Sequence, residues 1–162
     1  MTVVESGNLA HSFLKKAIEL AVASVDQGGG PFGAVVVKDG LIIASGTNQV
    51  TRTNDPTAHA EVVAIREACR VLGDFQLLGC DLYTSCEPCP MCLGAIFWAR
   101  PSHVYFAATH DDAAAAGFDD SFIYEQIRVP HAERTIPMIQ VADEESGRPF
   151  QRWVSRADKK EY

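Results

Sequence analysis

Apolar residues recur at helical spacing from about Leu9 to Val25, at Phe13, Leu14, Ala17, Ile18, Leu20, Ala21 and Val25, and Gly28-Gly29-Gly30-Pro31 ends that run. Two β-rich runs follow, Ala34–Val37 and Leu41–Ala44, joined through Lys38-Asp39-Gly40, where Asp-Gly marks a hairpin turn. A loop over Thr47–Thr53 leads to Asp55-Pro56, which reads as a helix start with Asp as N-cap and Pro in the first turn, the helix running to about Val71. Cys80–Thr84 predicts a third strand, Pro88–Ala99 a third helix halted by Pro101, and His103–Ala108 a fourth strand. Short helices are expected over Asp111–Gly117 and Ser121–Ile127, a last strand over Met138–Ala142 and a terminal helix over Pro149–Lys159. Strands alternating with helices after the first hairpin predict an α/β fold, three-layer α/β/α around a central mixed five-stranded sheet.

Length and composition narrow this picture. The 162 residues suit one compact domain, 1–162, large enough to bury a proper core. No apolar run approaches the length of a membrane span, and Met1-Thr2-Val3-Val4-Glu5 lacks the basic start and apolar stretch of a secretory signal, so a cytoplasmic protein with no membrane partner is expected. Five cysteines, three of them crowded into Cys86, Cys89 and Cys92, fit metal binding in a reducing compartment better than a disulfide framework, with Cys69 and Cys80 as plain core residues. A net charge of −7, with no basic run longer than a pair such as Lys159-Lys160, would repel a phosphate backbone and argues against a nucleic-acid partner.

The chemistry concentrates in two segments, Thr57-Ala58-His59-Ala60-Glu61 and Glu87-Pro88-Cys89-Pro90-Met91-Cys92. One histidine and two cysteines holding Zn2+ leave a fourth position open for water, and a carboxylate two residues past the histidine is placed to move that water's protons. Within a helix, residues two apart diverge by about 200°, so His59 and Glu61 share a site only if it lies at the helix's N-terminal end, where free N–H groups favour negative charge. Cys89 and Cys92, three apart, lie on one face in the first turn of a helix that lowers their thiol pKa. Cys86 has the same spacing to Cys89 as Cys89 has to Cys92. The pair Cys89 and Cys92 is taken with His59, because Pro88 suits the first helical turn and Cys86 belongs to the end of the strand. A closed four-ligand site of His59 and three cysteines is the structural-zinc alternative, and it leaves Glu61 without a role; Glu61 as an ordinary exposed helix residue is the other bland reading.

These residues match the His-x-Glu and Pro-Cys-x-x-Cys pattern of zinc nucleobase deaminases. The chain resembles the cytidine deaminase superfamily and, within it, the bacterial guanine deaminases. The resemblance runs from Gly30-Pro31-Phe32-Gly33-Ala34-Val35-Val36 through Asn54–Glu61 and Ser85–Cys92 to Gly117-Phe118-Asp119-Asp120-Ser121-Phe122-Ile123-Tyr124, Arg134-Thr135-Ile136-Pro137 and Lys159-Lys160-Glu161-Tyr162. The zinc motifs are shared by many deaminases; Gly-Phe-Asp-Asp and the terminal Lys-Lys-Glu-Tyr single out the guanine branch.

The resemblance implies a cytidine deaminase-like fold, Zn2+ as cofactor, hydrolysis of a purine base, guanine, to xanthine and ammonia, and a homodimer in which a C-terminal segment, about 145–162, is exchanged between subunits as an active-site lid. His59, Cys89 and Cys92 would be the metal ligands and Glu61 the catalytic acid and base. Asn48 would hydrogen-bond the purine, Phe32 would pack on its ring, Asp120 would accept from its N–H groups, and Tyr162 would close the site. Against these stand a turn role for Asn48, a core role for Phe32, a solvated cap for Asp120 and a plain chain end for Tyr162. His11, His103, His110 and His131 read as surface or structural residues, Trp98 and Trp153 as packing or interface residues, and Arg128, Arg134, Arg148, Arg152 and Arg156 as a solvated face. Deamination of guanosine or another nucleoside, deamination of tRNA adenosine, and a non-catalytic zinc-binding module are the competing functions.

Overall fold

Strand β1 (Gly33–Lys38) is buried on both faces, which explains why Ala34-Val35-Val36-Val37 is an unbroken apolar run and not an alternating one. In the computed structural model, which describes residues 3–162 with side chains from Leu9 onward, helix α1 (Val3–Asp26) lies on one face. Its Phe13 packs with Val35, Val37 and Tyr83. On the other face, Ala34, Val36 and Leu82 pack with Ala60, Ala64, Ile65 and Ala68 of α3 (Ala60–Leu72) and with Ile96 and Ala99 of α4 (Pro90–Ala99).

The sheet is mixed and four-stranded, in the order β2-β1-β3-β4. β1 pairs antiparallel with β2 (Leu41–Thr47) across a turn whose Asp39 and Gly40 both have positive φ, 51° and 76°, as the predicted hairpin requires. It also pairs antiparallel with β3 (Cys80–Cys86), and β3 runs parallel to β4 (His103–Ala108) after crossing through α4. Gly46 of β2 sits directly under α3: a Cβ there would land on the carbonyl oxygen of Ala60. That close approach brings the first turn of α3 onto the sheet.

The chain divides into two compact units, Met1–Asp120 and Ser121–Tyr162. The first holds the sheet, α1, α3, α4, the single turn α2 (Val50–Thr53) and α5 (His110–Ala115), whose N-cap Thr109 and Asp112 form a capping box. The second holds α6 (Ser121–Arg128), a 3-10 turn at His131–Glu133 and α7 (Arg148–Val154). Within it, Gln126 Oε1 accepts from the main-chain N–H and the hydroxyl of Thr135, at 2.7 and 3.1 Å.

Several expectations are corrected. The sheet has four strands, not five: 138–142 forms no strand, because its apolar alternation finds no ladder partner and leaves Ile139 and Val141 more than 80% exposed, at 82% and 83%. Asp55-Pro56 does not start a helix. Asp55 Oδ1 instead accepts from the N–H and hydroxyl of Thr57, at 2.8 and 2.7 Å, closing a side-chain turn, and α3 begins at Ala60. The proline in the first turn of α4 is Pro90, not Pro88. The loop over 47–53 contains the turn α2, ended by Asn54 at φ 53°. α7 stops at Val154, short of Lys159: the Ser155 hydroxyl donates to the Arg152 carbonyl at 2.8 Å, and Asp158 pairs with Arg156 beyond it.

Candidate active site

The N-termini of α3 and α4 converge on one point. His59 is the N-cap of α3 and Cys89 the N-cap of α4; both have extended backbones, and neither uses its side chain to cap. The imidazole and the thiol are therefore free to face each other. His59 Nδ1 lies 3.5 Å from Cys89 Sγ and 3.5 Å from Cys92 Sγ. All three ligand atoms fall within 4.8 Å of one another, the only such group of metal-ligating side chains among the described residues.

This spacing is what zinc needs. A nitrogen about 2.0 Å and a sulfur about 2.3 Å from one zinc ion, at a roughly tetrahedral angle, lie about 3.5 Å apart. Cys86 is outside the group: it ends β3, buried, with its thiol directed at the Thr109 carbonyl at 3.5 Å. Burial pushes that thiol up to about 11, so it is a poor source of thiolate. Cys89 behaves in the opposite way. The Cys92 thiol donates to it, His59 lies beside it, and its pKa is lowered to about 4, while that of Cys92 is raised. Cys89 is thus the thiol of the pair that ionises more readily, which suits it to serve as an anionic ligand. The hydrogen bond with Cys89 raises His59.

Glu61, in the first turn of α3, is buried at 5% exposure behind this cluster. Its Oε2 accepts from Cys92 Sγ at 3.4 Å, and its Oε1 accepts from the Thr84 hydroxyl at 3.2 Å. Burial raises its pKa, and those two hydrogen bonds pull it back. A carboxyl held this way keeps its proton to higher pH than an exposed glutamate does.

Asn48 is buried, and its contacts are those of the turn reading. Its Oδ1 accepts from the Val50 N–H at 3.2 Å, as a turn residue does, and its backbone N–H donates to the Phe32 carbonyl at 3.1 Å. Phe32 is half-buried and meets Phe118 edge-on, with ring centroids 5.0 Å apart. Asp120 is half-buried too; burial and then the neighbouring Cys89 charge raise its pKa, which puts it within electrostatic reach of the cluster. Tyr162 belongs to the second unit, 69% exposed, its ring edge-on to Trp153 at 6.5 Å. His11, His103, His110 and His131 are all exposed, as expected. A groove of about 370 Å³ lined by Ile18, Phe32, Ala108 and Phe118 opens beside α1 and α5, and its lining includes none of the three cluster residues.

Two participants escape sequence reasoning. Thr84 reaches Glu61 only because β3 and α3 are packed together, and Glu87 pairs with His110 across 23 residues. The one available signal was position: each lies within five residues of Cys89.

A histidine and two thiols at converging helix starts, backed by a buried carboxylate on a mixed α/β sheet, define a zinc-dependent deaminase class. The chain belongs to the family described as the cytidine and deoxycytidylate deaminase zinc-binding region, whose model matches residues 8–108. Over 152 residues it is 66% identical to the guanine deaminase of Bacillus subtilis (strain 168), covering 93% of this chain and 97% of that protein. The X-ray structure of guanine deaminase from Bacillus subtilis superposes with a TM-score of 0.92 at 65% identity, covering 94% of this chain and 98% of that one. A tRNA-specific adenosine deaminase of Aquifex aeolicus (strain VF5) is 47% identical over 96 residues, covering 59% of this chain and 64% of its own.

Proposed function

We propose that this protein is a zinc-dependent guanine deaminase, converting guanine and water to xanthine and ammonia. The observation that carries the choice of base is the extent of the likeness. The likeness to guanine deaminase is both stronger and longer, 66% identity over 93% of this chain, than that to tRNA-specific adenosine deaminases, 47% over 59% or 36% over 83%. The net charge of −7 also disfavours a tRNA backbone.

His59, Cys89 and Cys92 hold the zinc. When bound, zinc supplies a Lewis acid that makes water acidic near neutral pH. Glu61 accepts a proton as water adds to the ring carbon bearing the amino group. It delivers that proton to the adjacent ring nitrogen and assists departure of the amine as ammonia. Thr84 holds the second oxygen of Glu61, fixing the carboxylate's direction. Asn48 donates through its amide to the purine, Phe32 packs against the ring, and Asp120 accepts from the base's N–H groups.

The protein works as a cytoplasmic homodimer whose C-terminal segment, 145–162, crosses to cap the partner's site with Tyr162. The surface of the second unit supports this: none of residues 121–162 is buried, and Ile136, Ile139, Val141 and Phe150 are 73–83% exposed. Apolar surface on that scale calls for a covering partner. Among the described residues no helix is long and apolar enough to cross a membrane. The test is to offer guanine, guanosine, cytidine and adenosine separately to zinc-loaded protein and follow ammonia; turnover of guanine supports the reading, and turnover confined to any of the others overturns it.

A further inference from the structure

Two histidine–carboxylate pairs brace the same two parallel strands at opposite ends. At one end, His103 of β4 meets Asp81 of β3, Nδ1 to Oδ1 at 2.9 Å. At the other, His110, the first residue of α5, meets Glu87, just past β3, Nδ1 to Oε2 at 2.9 Å. They are alike in chemistry and exposure, the histidines 66% and 56% exposed and their carboxylates 32% and 33%. Only the second pair is next to a proposed ligand.

We infer that His110 is a positioning residue for the metal centre: through Glu87 it fixes the short segment that carries Cys89. The contacts converge on that segment. Glu87 Oε2 accepts from both the backbone N–H of His110, at 3.2 Å, and its ring. The Glu87 N–H donates to the Ala108 carbonyl at 2.8 Å, and the Cys86 thiol is directed at the Thr109 carbonyl. The far side of this clamp is rigid, because Thr109 and Asp112 cap α5 reciprocally, with the Thr109 N–H and hydroxyl both 2.8 Å from Asp112 Oδ2. Between Glu87 and Cys89 stands a single buried residue, Pro88, whose ring fixes its φ. A shift of Glu87 therefore passes to Cys89 with little local relaxation.

An exposed ion pair contributes little to global stability. What this one controls is the direction of a ligand, and groups that orient metal ligands typically alter metal affinity about 10- to 100-fold.

The inference rests on Cys89 being a zinc ligand, and the test separates the two. Zinc-loaded wild type, His110→Ala, His110→Asn and His103→Ala are mixed with a chromogenic zinc chelator, and release is timed alongside thermal unfolding. His110→Ala should release zinc about tenfold faster or more, with its melting temperature close to wild type. His110→Asn, which keeps a side-chain N–H donor, should recover much of the slow release, and His103→Ala should match wild type. Equal release from wild type and His110→Ala overturns the clamp, as does equal acceleration by His103→Ala. A wild type that takes up no zinc overturns the ligand assignment itself, and the clamp with it.

Discussion

The hydroxyl of Thr84 donates to Glu61 Oε1 at 3.2 Å, joining the middle of the sheet to the first turn of α3 at the proposed proton-transfer site. Both residues are buried, Thr84 at 1% exposure. Thr84→Val keeps the shape and removes the donor. A hydrogen bond to an ionisable group contributes about 1.5–3 kcal/mol, so kcat should fall roughly 10- to 100-fold with zinc content unchanged. Steady-state kinetics with metal analysis on the same sample checks this.

Gly46 sets how closely α3 approaches the sheet. In Gly46→Ala the new methyl meets the Ala60 carbonyl oxygen and the Ala64 nitrogen, backbone atoms with no room to yield. Overpacking of this kind costs about 1–3 kcal/mol, roughly 2–12 °C in melting temperature. Because α3 carries His59 and Glu61, activity should drop as well. Thermal unfolding and guanine turnover on one preparation read both.

Tyr83 gives the fold an alkaline limit. Burial pushes its phenol up to about 12 from an ordinary value of 10.0, so the unfolded chain ionises first. The stability this group contributes is fully present below pH 10 and is lost as pH rises through about 12. Tyr83→Phe should flatten that part of the pH dependence. Melting curves of the two proteins between those pH values provide the comparison, and parallel declines would count against the assignment.

Removing Lys159–Tyr162 should lower turnover by more than it lowers stability. Lys159 Nζ donates to the Val154 carbonyl at 3.4 Å, within its own unit, and Tyr162 is largely exposed. A tail with so little buried contributes little to the fold, while a lid matters for excluding water from the reaction. Unchanged kinetics after truncation would remove the lid from the account.

What the sequence disclosed depended on how local each feature is. His59-x-Glu61 and Cys89-x-x-Cys92 are readable because the chemistry of a helix start is set by neighbours a few residues away, and the structure does gather His59, Cys89 and Cys92. The hairpin at Asp39-Gly40 is equally local. Asp55-Pro56 misled because the same two residues that open helices also close side-chain turns, and Thr57 decided between them. The segment 138–142 has a strand's alternation, but a strand also needs a neighbouring edge, which no single segment reveals. Thr84 and His110 were invisible for a related reason: each acts across 23 residues, through packing that only the folded chain establishes.

The central claim is that zinc held by His59, Cys89 and Cys92, with Glu61 carrying protons, deaminates guanine. The most direct measurement compares wild type with Glu61→Gln, recording bound zinc per chain and ammonia released from guanine. The account predicts one zinc per chain in both proteins, with ammonia and xanthine formed by wild type and no turnover by the variant. A zinc-loaded Glu61→Gln that still deaminates guanine, or a zinc-loaded wild type that does not, would contradict it.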